Sequence, residues 1–160
     1  MLITGAGGEI GHGLIERLST QSRRAIVTLD LTRLDQSIAP KVDREITGSI
    51  LDRPLLERVL AEYQVELVFH LAALLSTRSE FTPLSAHQVN VEGTLNLLEF
   101  AQHEAEPHGR PVIFMYPSSI AVYGLPNLAE KEGAGRVKED EYTQPTTMDA
   151  CNKLYWGQLG

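Results

Sequence analysis

Short apolar runs alternate with longer amphipathic stretches along most of this chain, and no hairpin signal interrupts the alternation. Leu2-Ile3-Thr4 forms the first run, and Ile10, Leu14, Ile15 and Leu18 then recur at helical spacing. Ala25 to Leu29 reads as a second strand that ends in Asp30. Leu31 to Asp43 is polar and predicts a connection with a short helical turn, and Arg44 to Thr47 predicts a brief third strand. Asp52-Arg53-Pro54 reads as a helix start, with Asp52 or Arg53 at the cap and Pro54 in the first turn. Leu55, Leu56, Val59 and Leu60 supply the apolar face of that helix. Val65 to Leu71 is apolar almost throughout, as suits a central parallel strand covered on both faces. One long helix is predicted from about Pro83 to His103, with Val89, Leu95, Leu98 and Phe100 among its apolar positions. Pro111 to Tyr116 predicts a fifth strand, and Gly124 to Pro145 is the one long irregular stretch, of a length that is usually functional or mobile.

Composition narrows the classes. At 160 residues the chain suits one domain with a sizeable core. A net charge of −7 without a basic cluster argues against nucleic acid and anionic membrane as main partners. No stretch is long or apolar enough to span a bilayer, and Met1 opens a strand with no charged leader, so a cytoplasmic location is expected. The single cysteine, Cys151, excludes an internal disulfide framework and reads as a small helix packer. The five histidines show no paired ligand spacing, so no metal is expected. His70, on a buried strand, reads as a packed and hydrogen-bonded group rather than a catalyst.

The chemistry lies where the first strand meets Gly5-Ala6-Gly7-Gly8-Glu9-Ile10-Gly11. A glycine-rich turn between a strand and an amphipathic helix offers backbone N–H groups and a helix N-terminus to a dinucleotide pyrophosphate. Gly5 lets the chain turn sharply, Gly8 leaves room for the phosphates, and Gly11 lets the helix pack close to the strand. Asp30, about 20 residues past the motif at a strand tip, is placed to accept hydrogen bonds from the adenosine ribose hydroxyls. Elements and motif together predict an α/β fold, a Rossmann-type three-layer sandwich with a parallel sheet of about five strands in order 3-2-1-4-5 and right-handed crossovers. A single nucleotide-binding domain over residues 1–160 is expected.

Further blocks carry a resemblance. Val68-Phe69-His70-Leu71-Ala72-Ala73 closes the fourth strand, Asn90-Val91-Glu92-Gly93-Thr94 sits in the long helix, and Pro117-Ser118-Ser119-Ile120-Ala121-Val122-Tyr123-Gly124 closes the fifth strand. With Thr4 to Gly11, these blocks resemble the extended short-chain dehydrogenase/reductase family, the NAD-dependent epimerases and dehydratases. The Leu71 to Ser76 run, Ser118 to Val122 and Pro145-Thr146-Thr147-Met148 lean toward its L-threonine dehydrogenase-like branch. The resemblance implies that Gly5, Gly8, Glu9 and Ile10 contact pyrophosphate, and that Asp30 and Leu31 bind the adenosine ribose. Asp30 would favour NAD over NADP by repelling a 2′-phosphate. Ser49 stands beside Ile50 where the family often has Asp to hold the adenine amino group, so weaker adenine binding is expected. Leu71, Ala72, Ala73 and Asn90 would line the central and nicotinamide side of the cofactor.

At the catalytic end the match breaks. The family pairs a tyrosine with a lysine four residues on, near a serine, and the lysine and nicotinamide together lower the phenol's pKa from about 10. Ser119 stands for the serine and Lys153 for the lysine, but Asp149 occupies the tyrosine's place and Ala150 follows it. Neither Tyr142 nor Tyr155 precedes a lysine by four, and Tyr123 belongs to the fifth-strand block. A carboxylate lies roughly 3 Å nearer the backbone than a phenol oxygen, and a misplacement of about 1 Å can cost about 10²-fold in rate. Acid before base at i and i+4 predicts an intrahelical ion pair between Asp149 and Lys153.

The resemblance therefore implies an NAD-dependent epimerase/dehydratase or dehydrogenase that passes a hydride between a substrate carbon and nicotinamide. The substrate would be a sugar nucleotide or hydroxy compound. This chain is expected to bind NAD with impaired chemistry, the family's C-terminal substrate lobe being absent from its 160 residues. The alternatives are a non-catalytic NAD-binding or regulatory module and an inactive truncated scaffold. A homodimer is expected, through the long helix, the catalytic helix and apolar surface at Leu154, Tyr155 and Trp156.

Overall fold

The computed structural model describes residues 1–125 and 127–159, and the side chains of all of these except 76, 77, 108 and 159. Its backbone contacts divide the chain into two compact units, one of Met1–Ala73 with Glu92–Pro117 and one of Leu74–Val91 with Ser118–Gly160.

The first unit holds strands β1 (Leu2–Thr4), β2 (Val27–Asp30), β3 (Arg44–Thr47), β4 (Leu67–His70) and β5 (Ile113–Met115). All adjacent pairs are parallel and the order is β3-β2-β1-β4-β5, as the alternating pattern and the glycine motif together predict. Helix α1 (Glu9–Gln21) follows β1 and helix α2 (Arg53–Glu62) follows β3. Alternation along the strands sends side chains to opposite faces of the sheet. Ile3 and Phe69 face Ile15 of α1, in a cluster with Ile26, Leu34 and Ile38. Thr4 and His70, partners across β1 and β4, share the other face. His70 is buried there, its Nδ1 hydrogen-bonded to Thr4 Oγ1 at 2.7 Å and its Nε2 to Thr94 Oγ1 at 2.9 Å. It is the packed, hydrogen-bonded group expected from its place on a buried strand. Its ring also lies 5.5 Å from that of Tyr116, whose phenol burial pushes up to about 12.

The second unit is helical. Helices α3 (Ser76–Phe81) and α4 (Pro83–His87) pack on each other, and both pack on the later helix α7 (Met148–Leu159). The expected long helix from Pro83 to His103 is not one regular helix. α4 gives way to a π-type turn over Gln88–Glu92, and α5 (Gly93–His108) continues five residues beyond His103. An inserted residue in a helix shifts the apolar phase without breaking helical composition, so a pattern read at 3.6 residues per turn passes over it. Phe100 is buried as expected, whereas Leu95 is 49% exposed and Leu97 is buried. Likewise Ile10, counted on the apolar face of α1, is 68% exposed.

Two more helices were not expected: α3, and α6 (Leu128–Ala134) inside the stretch read as irregular, where Pro126 lies outside the described residues. The base of that stretch is closed by a hydrogen bond from Gly124 N–H to Tyr142 O at 2.7 Å, and Tyr142 carries a left-handed backbone (φ 55). Among the described residues no helix is long and apolar enough to cross a membrane.

The start of α2 follows from its cap. Asp52 Oδ1 accepts the N–H of Leu55 at 3.0 Å, and Pro54, which has no N–H, sits in the first turn. Leu55, Leu56 and Val59 are buried behind it. Replacing Asp52 by Ala is expected to cost about 1 kcal/mol in a urea unfolding experiment. An unchanged midpoint would show that the cap contributes nothing to α2.

Candidate functional site

In the first unit, the C-terminal ends of β1, β2 and β4 converge where the strand order reverses, which is where open parallel sheets bind ligands. Gly5 N–H donates to Leu29 O at 3.0 Å, and Leu71 N–H donates to Thr4 O at 3.0 Å. Gly5 takes a left-handed backbone (φ +68), and a Cβ there would lie 2.5 Å from Ala72 N. Leu71 and Ala72 are thus brought directly against the glycine turn, with no room for a side chain between, and Ala73 follows them. The first N–H groups of any helix lack intrahelical acceptors, and Gly8 at the cap of α1 has no side chain to satisfy them. Glu9 and Ile10 open the helix and are exposed beside it. A Cβ on Gly11 would lie 2.5 Å from Ala6 O, so Gly11 lets α1 close on the turn itself and not on the strand.

Asp30 points back at the same turn. Its Oδ2 accepts the N–H of Gly7 at 2.9 Å, and its Oδ1 accepts the N–H of Thr32 at 3.2 Å and the Thr32 hydroxyl at 3.4 Å. Leu31 beside it is 71% exposed. Gly48 N–H donates to Asp30 O at 2.8 Å, which carries Ser49 and Ile50 to the tip of β2. Ser49 Oγ accepts the N–H of Leu51 at 3.1 Å, and Ile50 is buried.

The remaining candidates lie in the second unit. Ser119 caps the turn Ile120–Val122, its Oγ accepting the N–H of Ala121 at 3.1 Å, and that turn packs on α7. On α7, Asp149, Ala150, Asn152, Lys153 and Trp156 recur at helical spacing and all are buried, three of them polar. Asp149 Oδ1 accepts from the hydroxyl of buried Ser79 on α3 at 3.5 Å. Burial lowers the Lys153 ammonium from 10.5 to about 8, while the Asp149 carboxylate acts in the opposite sense. Asn90, in the π-type turn, is occupied in holding chain together. Its Oδ1 accepts Leu74 N–H at 2.8 Å, and its Nδ2 donates to Leu74 O at 2.8 Å and to Asn152 Oδ1 at 3.3 Å. Its backbone carbonyl accepts the Trp156 indole N–H at 2.8 Å.

Two expectations for α7 need correction. Trp156 is 7% exposed and anchored by its indole, so it adds nothing to an apolar surface, although Tyr155 is 50% exposed. Cys151 is exposed instead of packed, because it falls on the side of α7 opposite the Asp149–Lys153 face. Gly7, Thr32, Ser79 and Asn152 were not anticipated. Gly7 had a signal, a further glycine between Gly5 and Gly8; the other three are ordinary polar residues until the fold brings them to their partners. Among the described residues no group of three or more His, Cys, Asp or Glu could hold a metal ion.

A parallel sheet in this order, with a glycine turn at its switch point and an acidic second strand tip, defines a Rossmann-type fold. The model of the NAD dependent epimerase/dehydratase family matches residues 1–159, and the chain belongs to that family. An uncharacterised epimerase/dehydratase of Staphylococcus epidermidis is 29% identical, over 96% of this chain and 45% of the relative. UDP-glucose 4-epimerase from Brucella ovis, solved in complex with NAD, superposes with a TM-score of 0.79 at 29% identity, over 99% of this chain and 45% of that one. A monomeric L-threonine 3-dehydrogenase from a metagenome, solved in its apo form, gives a TM-score of 0.79 at 28% identity, over 99% of this chain and 47% of that one. The chain spans about half the length of the curated relatives it matches.

The buried lysine makes stability depend on pH. Because the folded pKa of Lys153 lies below its ordinary value, the unfolded chain binds more protons between about pH 8 and about pH 10.5, and stability rises with pH there. The expected outcome is that wild type gains stability relative to Lys153→Met across that window, measured by denaturant unfolding at several pH values. A difference that stays flat with pH would contradict the burial of the charge.

Proposed function

We propose that this chain binds NAD through the first unit, with the pyrophosphate on the Gly5–Gly8 turn and the start of α1 and the adenosine ribose on Asp30. The observation that carries the reading is the Asp30 carboxylate, held 2.9 Å from the N–H of Gly7 in that turn. A carboxylate has about four lone-pair positions; Oδ2 keeps one open for a ribose hydroxyl, and the long bond from the Thr32 hydroxyl to Oδ1, at 3.4 Å, is the one a second ribose hydroxyl would displace. The same charge opposes a 2′-phosphate, which makes NAD the preferred cofactor. Ser49 and Ile50 lie at the adenine end, Ser49 with one lone pair used by Leu51 N–H and its own proton to give. Leu71 to Ala73 offer backbone and small side chains to the middle of the cofactor.

Family chemistry passes a hydride between a substrate carbon and the nicotinamide, the substrate here being a sugar nucleotide or hydroxy compound. In this chain Ser119 and Lys153 keep their places, but no phenol stands one turn before the lysine. Asp149 is buried, with the Ser79 hydroxyl on its carboxylate. That arrangement favours a chain that binds NAD without tyrosine-dependent proton transfer, so the reading is cofactor binding with impaired catalysis. Self-association belongs to the same reading: in the second unit Phe81 is 82%, Leu84 72% and Tyr155 50% exposed.

Calorimetric titration tests this. Asp30→Ala is expected to weaken NAD binding by about 1.5–3 kcal/mol, the loss of a charged hydrogen-bonding group, while NADP gains relative to NAD. Asp149→Ala should leave NAD affinity little changed. Equal NAD affinity in wild type and Asp30→Ala would overturn the site assignment.

A further inference from the structure

We infer that Asn96, on α5, is a positioning residue for the adenine end of the NAD site, because it fixes the peptide that holds the Ser49 hydroxyl. The inference rests on the reading of the first unit as an NAD site and extends it to a helix that has no part in that reading. Ser49 to Asp52 is a four-residue turn, closed by the N–H of Asp52 on Ser49 O at 3.1 Å. The closing bond leaves the middle peptide of the turn, between Ile50 and Leu51, to find partners of its own. Asn96 Nδ2 donates to Ile50 O at 3.1 Å, and Leu51 N–H donates to Ser49 Oγ at 3.1 Å. Across a trans peptide the C=O and the N–H point in opposite directions. The hold of Asn96 on one side therefore sets the direction of the N–H that Ser49 accepts on the other.

The amide of Asn96 is itself held the right way round. Arg53 Nη1 donates to Asn96 Oδ1 at 3.1 Å, and a guanidinium only donates, so the amide oxygen faces Arg53 and the nitrogen faces Ile50. An ion pair between Arg53 Nη2 and Glu99 Oε2 at 2.6 Å keeps the guanidinium there, Glu99 standing three residues on from Asn96 along α5. The turn is anchored elsewhere too: Ile50 is buried, and Gly48 N–H donates to Asp30 O at 2.8 Å. With one lone pair of Ser49 Oγ on Leu51 N–H, its proton and its second lone pair remain for a purine edge. Without the Asn96 donor, Ile50 O loses its partner and the middle peptide is free to tilt, taking Leu51 N–H away from Ser49 Oγ. The hydroxyl then has to be ordered when the ligand binds, which costs affinity.

Calorimetric titration of the full chain with NAD tests the inference by a double-mutant cycle, which separates an effect routed through Ser49 from general damage to the protein. Asn96→Asp keeps the side chain's size and its acceptor for Arg53, but a carboxylate cannot donate to Ile50 O. It is expected to weaken NAD binding about fivefold, and Ser49→Ala about as much, each within the range of one neutral hydrogen bond. The double variant should be no weaker than the single ones, whereas independent losses would multiply to about 25-fold. Arg53→Met, which leaves the Asn96 amide free to turn over, should weaken NAD binding about threefold and add nothing in the Ser49→Ala background. It carries the test if Asn96→Asp fails to fold. Losses that multiply in the double variants would overturn the inference. So would Ser49→Ala with the affinity of wild type, or unchanged affinity in Asn96→Asp and Arg53→Met where Asp30→Ala still loses NAD. Wild type that binds no NAD would overturn the parent reading, and this inference with it.

Discussion

Gly5 has no side chain, and the end of β4 occupies the space where one would be. A Cβ at that position would stand 2.5 Å from Ala72 N and 2.7 Å from Leu71 C, closer than any real Cβ approaches backbone. The left-handed backbone of Gly5 turns the chain away at once, so β1 can pair with both β2 and β4 up to its last residue. From that pairing follow the Thr4–His70 bond, the approach of Asp30 to Gly7, and the exposure of the first turn of α1 at the strand ends. A side chain at Gly5 would push the tips of β1 and β4 apart and open the floor of the candidate site.

The second unit shows a different constraint. The helical repeat that sets Asp149 and Lys153 on one face also sets Asn152 and Trp156 there, and that face is buried. Burying three polar side chains on one helix is unfavourable unless each finds partners. Asn90 and Ser79 supply several of them, and the π-type turn places the Asn90 side chain and carbonyl where both Asn152 and Trp156 can reach. The extra residue in the helical path therefore has a structural use in this chain. The lowered Lys153 pKa is the residual cost of that burial.

Much of the first unit was legible because its signals are local. Strand runs, the Asp52-Pro54 helix start, the glycine turn and an acid at the tip of β2 each occupy a few adjacent residues. The order of the strands followed from their alternation with helices together with the glycine motif. What escaped depends on non-local partners or on phase. On α5 Phe100 is buried as expected, but Leu97 is buried where Leu95 is exposed, a difference of phase that composition does not carry. Asn90, expected along the cofactor, also clamps Leu74, a role that no spacing in the sequence announces. Cys151 and Trp156 exchanged expected environments, because burial on α7 is decided by which side meets α3 and α4.

The central claim is that the tips of β1, β2 and β4 form a preset site for the adenosine half of NAD. Backbone amide NMR during titration with ADP-ribose tests it directly, since that ligand carries adenosine and pyrophosphate but no nicotinamide. The account predicts saturable shifts at the amides of Gly7, Gly8, Glu9 and Thr32, with little change along α7. Saturation without movement at Gly7 and Thr32, or no saturable binding at all, would contradict it.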